Sequence, residues 1–241
     1  MSDFLDRMYD KYHSRQVCGS DLSESALESA NPYLDLLIKR HFPKDMAAVG
    51  LDLGCGSGAL LGRAKRFGFS NFRGVDGSQE QVEVARRRGL DNVTHADLFH
   101  YVTAQKDESV DFVVTFDVLE HLEKPDILRL MDHVYRVLKS GGVWLVHVPN
   151  GEGIFGAHVF SGDLTHATVF SASSVQQLCR AGRFSGVKVF EDRPVIHGLK
   201  SATRALLWLL IRSLYRFLVV VETGGAGANV YSRNVLAVAR K

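Results

Sequence analysis

Leu51-Asp52-Leu53-Gly54-Cys55-Gly56-Ser57-Gly58 is the stretch whose reading decides the fold. Ahead of it, residues 47–53 read as a short buried strand, and behind it residues 59–67 read as a helix. Glycines at alternate positions between a strand and a helix make a turn whose backbone a ligand can approach closely. The spacing is Gly54-x-Gly56-x-Gly58, not the Gly-x-Gly-x-x-Gly of dinucleotide sites, and an acid, Asp52, precedes the first glycine. Alone, such a loop identifies only a nucleotide-like ligand.

Working outward, residues 71–75 form a second strand ending at Asp76, and 78–88 a helix that is basic on one side. Residues 93–95 form a third strand followed by Asp97. Residues 110–116 are a strong buried-strand run, and 125–138 carry apolar residues at helical spacing. Gly141-Gly142 is read as stopping that helix before a strand at 143–148. Residues 150–170 read as a glycine-rich aromatic loop, followed by a helix (171–182), a strand (186–191), an apolar helix (199–220) and a last strand (229–239). This alternation predicts an α/β, doubly wound parallel sheet with right-handed crossovers and ligands at the carboxyl ends of the strands.

Three acids then fall on strand ends. Asp76 can accept hydrogen bonds from both ribose hydroxyls, and Asp97 can meet an adenine amino group. S-adenosylmethionine has no pyrophosphate, but its ammonium and sulfonium suit an acid beside the loop, as Asp52 is. The loop, Asp76 and Asp97 in order therefore select this cofactor.

The net charge of +2 gives no field that draws the chain to nucleic acid. Cys18, Cys55 and Cys179 form no Cys-x-x-Cys pattern, which fits a reducing cytoplasm. The first residues lack a basic start followed by an apolar run, so no secretory signal is read there. The 241 residues are read as one domain: an N-terminal helical cap (1–46), a cofactor-binding core (47–192), a helical insertion (193–228) and a last strand (229–241).

Leu51–Gly58, Gly74-Val75-Asp76, Ala96-Asp97, Phe116-Asp117-Val118-Leu119-Glu120-His121-Leu122 and Leu138-Lys139-Ser140-Gly141-Gly142 together resemble the class I S-adenosylmethionine-dependent methyltransferases. The resemblance covers residues 47–150 specifically and 151–192 more loosely. It implies a mostly parallel, seven-stranded, Rossmann-like sheet whose last strand is antiparallel. It also implies that Gly54, Cys55, Gly56, Gly58, Asp76, Gly77, Ala96, Asp97, Leu98 and the stretch Phe116, Asp117, Val118 contact the cofactor, with Tyr12, His13 and Arg15 closing over it. For those three, a solvated helix face is the competing reading.

The acceptor is read from two places. Asp117, Glu120 and His121 share a face if helical. Asp163 and His166 come from the loop after the fifth strand. In one reading, His121 or His166 is a general base oriented by Asp163. In a second, Asp117, Glu120, His121 and His166 bind a divalent metal that acidifies a hydroxyl, as the segment's resemblance to Glu-x-x-Glu-His O-methyltransferases implies. In a third, Glu120 and His121 only cap and pack. The remaining isolated histidines are read as surface or core residues. Asp163-Leu164-Thr165-His166 also resembles methyltransferases of bacterial surface-polysaccharide and glycolipid pathways, which implies a sugar or glycolipid hydroxyl. Quinone precursors, other small molecules, and a catalytically silent scaffold subunit are the alternatives.

In 205–221 the residues Arg204, Trp208, Arg212 and Arg216 form one stripe on an otherwise aliphatic helix. The arginines argue against a membrane span. The expectations are packing on the chain's own sheet or in a homodimer with arginines in solvent, or peripheral contact of 204–221 with the inner membrane face.

Overall fold

The computed structural model describes residues 31–225, Gly227 and 229–241. The expectations for Tyr12, His13 and Arg15 therefore lie outside the described residues, as does most of the 1–46 cap.

Seven strands form one sheet: β1 (Gly50–Leu53), β2 (Phe72–Asp76), β3 (Val93–His95), β4 (Val110–Phe116), β5 (Leu138–Pro149), β6 (Ser185–Glu191) and β7 (Asn234–Arg240). Their order is β3-β2-β1-β4-β5-β7-β6. The first five pair in parallel, and β7 runs antiparallel to both β5 and β6. The expected architecture holds. Central strands buried on both faces read as continuous apolar runs, as Val110–Phe116 does.

Two apolar layers sandwich the sheet. One face is covered by α1 (Asn31–His41), α2 (Ala59–Arg66) and α3 (Gln79–Arg87). There Phe42, Phe69, Phe72 and Phe112 pack ring to ring, with centroids 4.8 to 6.0 Å apart. The other face is covered by α4 (Leu98–Thr103), α5 (Lys124–Val137) and α7 (Ala172–Ala181), with Ile127, Leu130, Met131 and Val134 as the α5 stripe. The Asn31-Pro32 pair lies inside α1, where a proline in the first turn costs no hydrogen bond.

Two readings of the glycines need correcting. α5 ends at Val137, and β5 has already begun at Leu138. Gly141-Gly142 thus does not stop the helix. It sits where the β4–β5 register shifts, with Gly141 at φ +76°. The loop 150–170 is not all loop either: it contains the short helix α6 (Gly156–Ser161).

The last helix, α8 (Leu199–Thr223), lies between β6 and β7 and is built inside out. The side it turns to the body is Ser201, Ala202, Ala205, Trp208, Arg212, Tyr215 and Val219, a period of three to four residues. Arg212 bonds to Glu191 Oε2 at 2.7 Å and to the Asn229 carbonyl at 2.9 Å. Leu206, Leu207, Leu210, Ile211, Leu214, Phe217, Leu218 and Val221 are all half exposed or more. Of the arginines expected in solvent, Arg204 and Arg216 are exposed, but Arg212 is drawn in beside Trp208. No described helix is long and apolar enough to cross a membrane.

Candidate active site

β1 is flanked by β2 on one side and β4 on the other, so the strand order reverses beside it. Crevices at such reversals, outside the carboxyl ends of the strands, are where open α/β sheets bind ligands. The glycine loop leaves β1 there. Gly54, Gly56 and Gly58 all have positive φ (+81°, +53°, +72°), which excludes most other residues. They differ in surroundings. A Cβ on Gly54 would meet Val118 Cγ2 at 2.5 Å, and one on Gly58 would meet Leu90 Cδ1 at 2.5 Å. One on Gly56 would meet only Gln81 Oε1, at 3.9 Å. Gly54 and Gly58 are therefore packing positions, whereas Gly56 opens on empty space.

The acids order this loop. Asp76 Oδ2 accepts from the Gly56 N–H at 2.7 Å, and Oδ1 accepts from the Ser78 N–H at 2.8 Å. Burial still raises the Asp76 pKa against those two bonds. Asp52 is only 2% exposed, and its Oδ1 has no hydrogen-bond partner among the described residues. Burial, with Asp76 adding its charge, pushes the Asp52 pKa up to about 8. Gln81 Oε1 is likewise buried without a donor. Two orphaned acceptors beside an open glycine fit a ligand that brings donors and positive charge, as the ammonium of S-adenosylmethionine does. Cys55 is buried, and its thiol pKa is raised well above the ordinary value by burial and then by Asp52, so it packs under the loop. A Cβ on Gly77 would meet nothing within 4 Å. Ala96 and Leu98 pack on the core, and Asp97 caps α4 by accepting from the His100 N–H at 2.8 Å.

On the acceptor side, Glu120 and His121 lie in a single 3-10 turn, Leu119–His121, rather than on a helical face. Asp117 precedes that turn at φ +55° and points elsewhere. Glu120, His121 and His166 converge, with one ligand atom from each within 4.8 Å of the others. The backbone explains this: the Glu120 carbonyl accepts from the N–H groups of Ala167 and Thr168, which straps the loop after β5 onto the turn. Glu120 Oε2 is buried without a partner, and burial followed by Asp117 raises its pKa well above the ordinary value. Thr165 Oγ1 donates to Asp163 Oδ1 at 2.7 Å and so accepts from His121 Nδ1 at 2.8 Å. His166 Nδ1 faces the Phe160 carbonyl at 3.2 Å. These bonds place a proton on Nδ1 of each ring, which turns Nε2 toward the shared space. Burial and then the neighbouring His166 push the His121 pKa down to about 4. Asp163 thus acts on His121 through Thr165, a residue the sequence reading passed over.

Asp117 is held by a second cluster that the sequence reading missed. His147, near the end of β5, donates from Nδ1 to Asp117 Oδ1 at 2.6 Å and from Nε2 to Asp192 Oδ2 at 2.7 Å. Tyr33 of α1 donates to Asp192 Oδ1 at 2.7 Å. Burial opposes protonation of His147, but Asp117 and then Asp192 outweigh it and hold its pKa well above the ordinary value. The ring is therefore an imidazolium, stacked on Phe116 with centroids 3.9 Å apart. The only signal in the sequence was a histidine inside the apolar strand run Val146-His147-Val148.

Comparison with known proteins agrees with this architecture. Residues 51–146 match the family described as methyltransferase domain. The chain is 34% identical to trans-aconitate 2-methyltransferase of Rhizobium rhizogenes over 51% of its own length and 46% of that protein's. It is 31% identical to the ubiquinone biosynthesis O-methyltransferase of Chelativorans sp., over 47% of each. The chain thus spans less than half of these relatives. A solved S-adenosylmethionine-dependent methyltransferase from Archaeoglobus fulgidus superposes with a TM-score of 0.69 at 20% identity, covering 89% of this chain and 94% of that one. At that identity the likeness concerns the fold.

Proposed function

From residues 51–146, which form a class I S-adenosylmethionine-dependent methyltransferase domain, we propose that this chain transfers the cofactor's methyl group to a hydroxyl of a sugar or glycolipid. The cofactor supplies an electrophilic methyl on sulfonium. Asp52, with the loop at Gly56, takes its ammonium. Asp76 and Asp97 take its ribose and adenine.

The observation that carries the hydroxyl reading is the convergence of Glu120, His121 and His166. A hydroxyl is a poor nucleophile until it loses its proton, and this cluster is built to help it do so. Two imidazole nitrogens and an unpartnered carboxylate oxygen fit a divalent ion held by Glu120, His121 and His166. Such an ion would acidify the acceptor hydroxyl. With a pKa of about 4, His121 suits a ligand better than a base. Asp163 and Thr165 fix its ring. The test is methyl transfer to nucleotide sugars, lipid-linked glycans and catechols, with and without excess chelator. Transfer to sugars that falls in chelator supports the reading. Unchanged rates in chelator would remove the metal, and transfer to catechols alone would replace the acceptor.

A quinone-precursor acceptor is the second reading, supported by the similarity to the ubiquinone-pathway O-methyltransferase. Both readings suit work at a membrane surface. The exposed apolar side of α8 is on the order of 1,000 Å², beyond the patch of an ordinary monomer. Arg204 and Arg216 flank it, and no acid occurs in α8 before Glu222. That arrangement favours peripheral contact with anionic lipid over a homodimer. Vesicle flotation of the full chain, compared with a Leu210→Ser/Leu214→Ser/Phe217→Ser variant, is the check. Equal flotation of the two would sink it.

A further inference from the structure

A cleft of about 300 Å³ lies between α8 and the segments that flank β6 and β7. It opens on the carboxyl side of the parallel strands, because β6 ends there and β7 begins there. Three arginines, Arg193, Arg204 and Arg233, are among the residues that line it, together with Trp208 and Asp192.

The acids near this cleft are already committed. Asp192 holds His147 and Tyr33. Glu191 takes Arg193 at 2.9 Å and Arg212 at 2.7 Å. Arg204 and Arg233 have no side-chain hydrogen bond or ion pair among the described residues. Trp208 adds an indole N–H that is buried without an acceptor. Among the described residues, Arg204, Arg233 and the Trp208 indole therefore offer donors and positive charge that no side chain receives. Two unpaired planar forks beside such a volume match a group with several anionic oxygens better than a single carboxylate.

We propose that this cleft binds the phosphate or diphosphate group of the methyl acceptor. Its inner wall, Asp192, is one end of the hydrogen-bonded chain through His147 to Asp117 at the end of β4. An anchored phosphate would thus hold the rest of the acceptor along the sheet edge toward the cofactor loop. The inference deepens the sugar or glycolipid reading and rests on it only in giving the cleft to the acceptor. Binding of the anion itself is measurable without it.

The experiment is calorimetric titration of the full chain with inorganic pyrophosphate. Saturable binding is expected, weakened at least tenfold in an Arg204→Gln/Arg233→Gln variant. It should stay within twofold in Lys200→Gln/Arg216→Gln, which removes the same charge from exposed positions of α8. S-adenosylmethionine affinity should be unchanged in both variants, which separates loss of the cleft from loss of the fold or of the methyltransferase reading. Quenching of tryptophan emission that disappears in Trp208→Phe would locate the ion, since Trp144 is buried in the core. Competition by a nucleoside diphosphate sugar would make the source soluble. Competition only by vesicles containing phosphatidic acid would make it a lipid headgroup. Absence of saturable binding, or equal weakening in the two charge variants, would overturn the proposal.

Discussion

Cofactor binding should release a proton, and Asp52 is the group that loses it. In the free protein burial and Asp76 raise its pKa from 3.8 to about 8, so the carboxyl is neutral at pH 7. The ammonium of S-adenosylmethionine selects the carboxylate. Below pH 8, affinity should then fall about tenfold for each unit that pH drops, because each unit below the pKa adds roughly 1.4 kcal/mol to the cost of ionising the group. At pH 6 that cost is about 2.7 kcal/mol, or about 100-fold in Kd. The ammonium itself titrates near 8, so the measurement belongs between pH 6 and 7.5. Calorimetry in buffers of different ionisation enthalpy reads both the Kd and the proton. Asp52→Asn should bind about 10- to 100-fold more weakly at pH 7.5, the worth of one charge-assisted hydrogen bond, and should show a flat pH dependence. The same shift has a stability sign. A carboxyl whose folded pKa is raised contributes stability that is lost as pH rises from about 4 to about 8. The free Asp52→Asn protein should therefore gain in melting temperature over the wild type as pH approaches 8. Proton-free binding with the same Kd at pH 6 and 7.5 would refute the reasoning.

Gly74→Ala should cost about 1–3 kcal/mol by denaturant unfolding, because its Cβ would meet Leu61 Cδ1 at 2.5 Å and Cys55 Sγ at 2.6 Å. Gly77→Ala, with nothing within 4 Å, should leave the unfolding midpoint nearly unchanged and report on cofactor affinity instead. His147→Gln leaves the buried Asp192 without its cation and should cost about 3–5 kcal/mol at pH 7. The pKa of His147 is raised, so its contribution is present through neutral pH and lost as pH climbs through the folded value. The melting-temperature gap between variant and wild type should accordingly narrow in alkaline buffer. Leu210→Ser and Leu214→Ser, at positions 63% and 62% exposed, should move stability by no more than about 0.5 kcal/mol.

The positions along the chain that are fixed by local chemistry were readable in advance. Gly54, Gly56 and Gly58 need positive φ whatever surrounds them. Asp76 ends β2 and Asp97 follows β3 by two residues, both strands short. Where a residue serves a partner distant in sequence, the reading failed. Gly141-Gly142 looked like a helix stop because glycine does end helices, but the adjoining strand claims Leu138 first and uses the pair for a register shift. Asp117 looked like a metal ligand because it stands three residues before Glu120. A positive φ turns it to His147 instead.

Periodicity, glycine spacing and strand-end carboxylates are local properties of the backbone, so the doubly wound sheet, the glycine loop and the acids beside it were legible in the sequence. Tertiary structure alone decided three things. Glu120, His121 and His166 meet only because the Glu120 carbonyl pairs with Ala167 and Thr168 across the loop. The Tyr33–Asp192–His147–Asp117 chain exists only because the start of α1 lies beside the ends of β4, β5 and β6. The apolar side of α8 faces outward because Glu191 and the Asn229 carbonyl draw Arg212 in. Hydrogen bonds between residues 17 to 159 positions apart leave no spacing for a sequence to show.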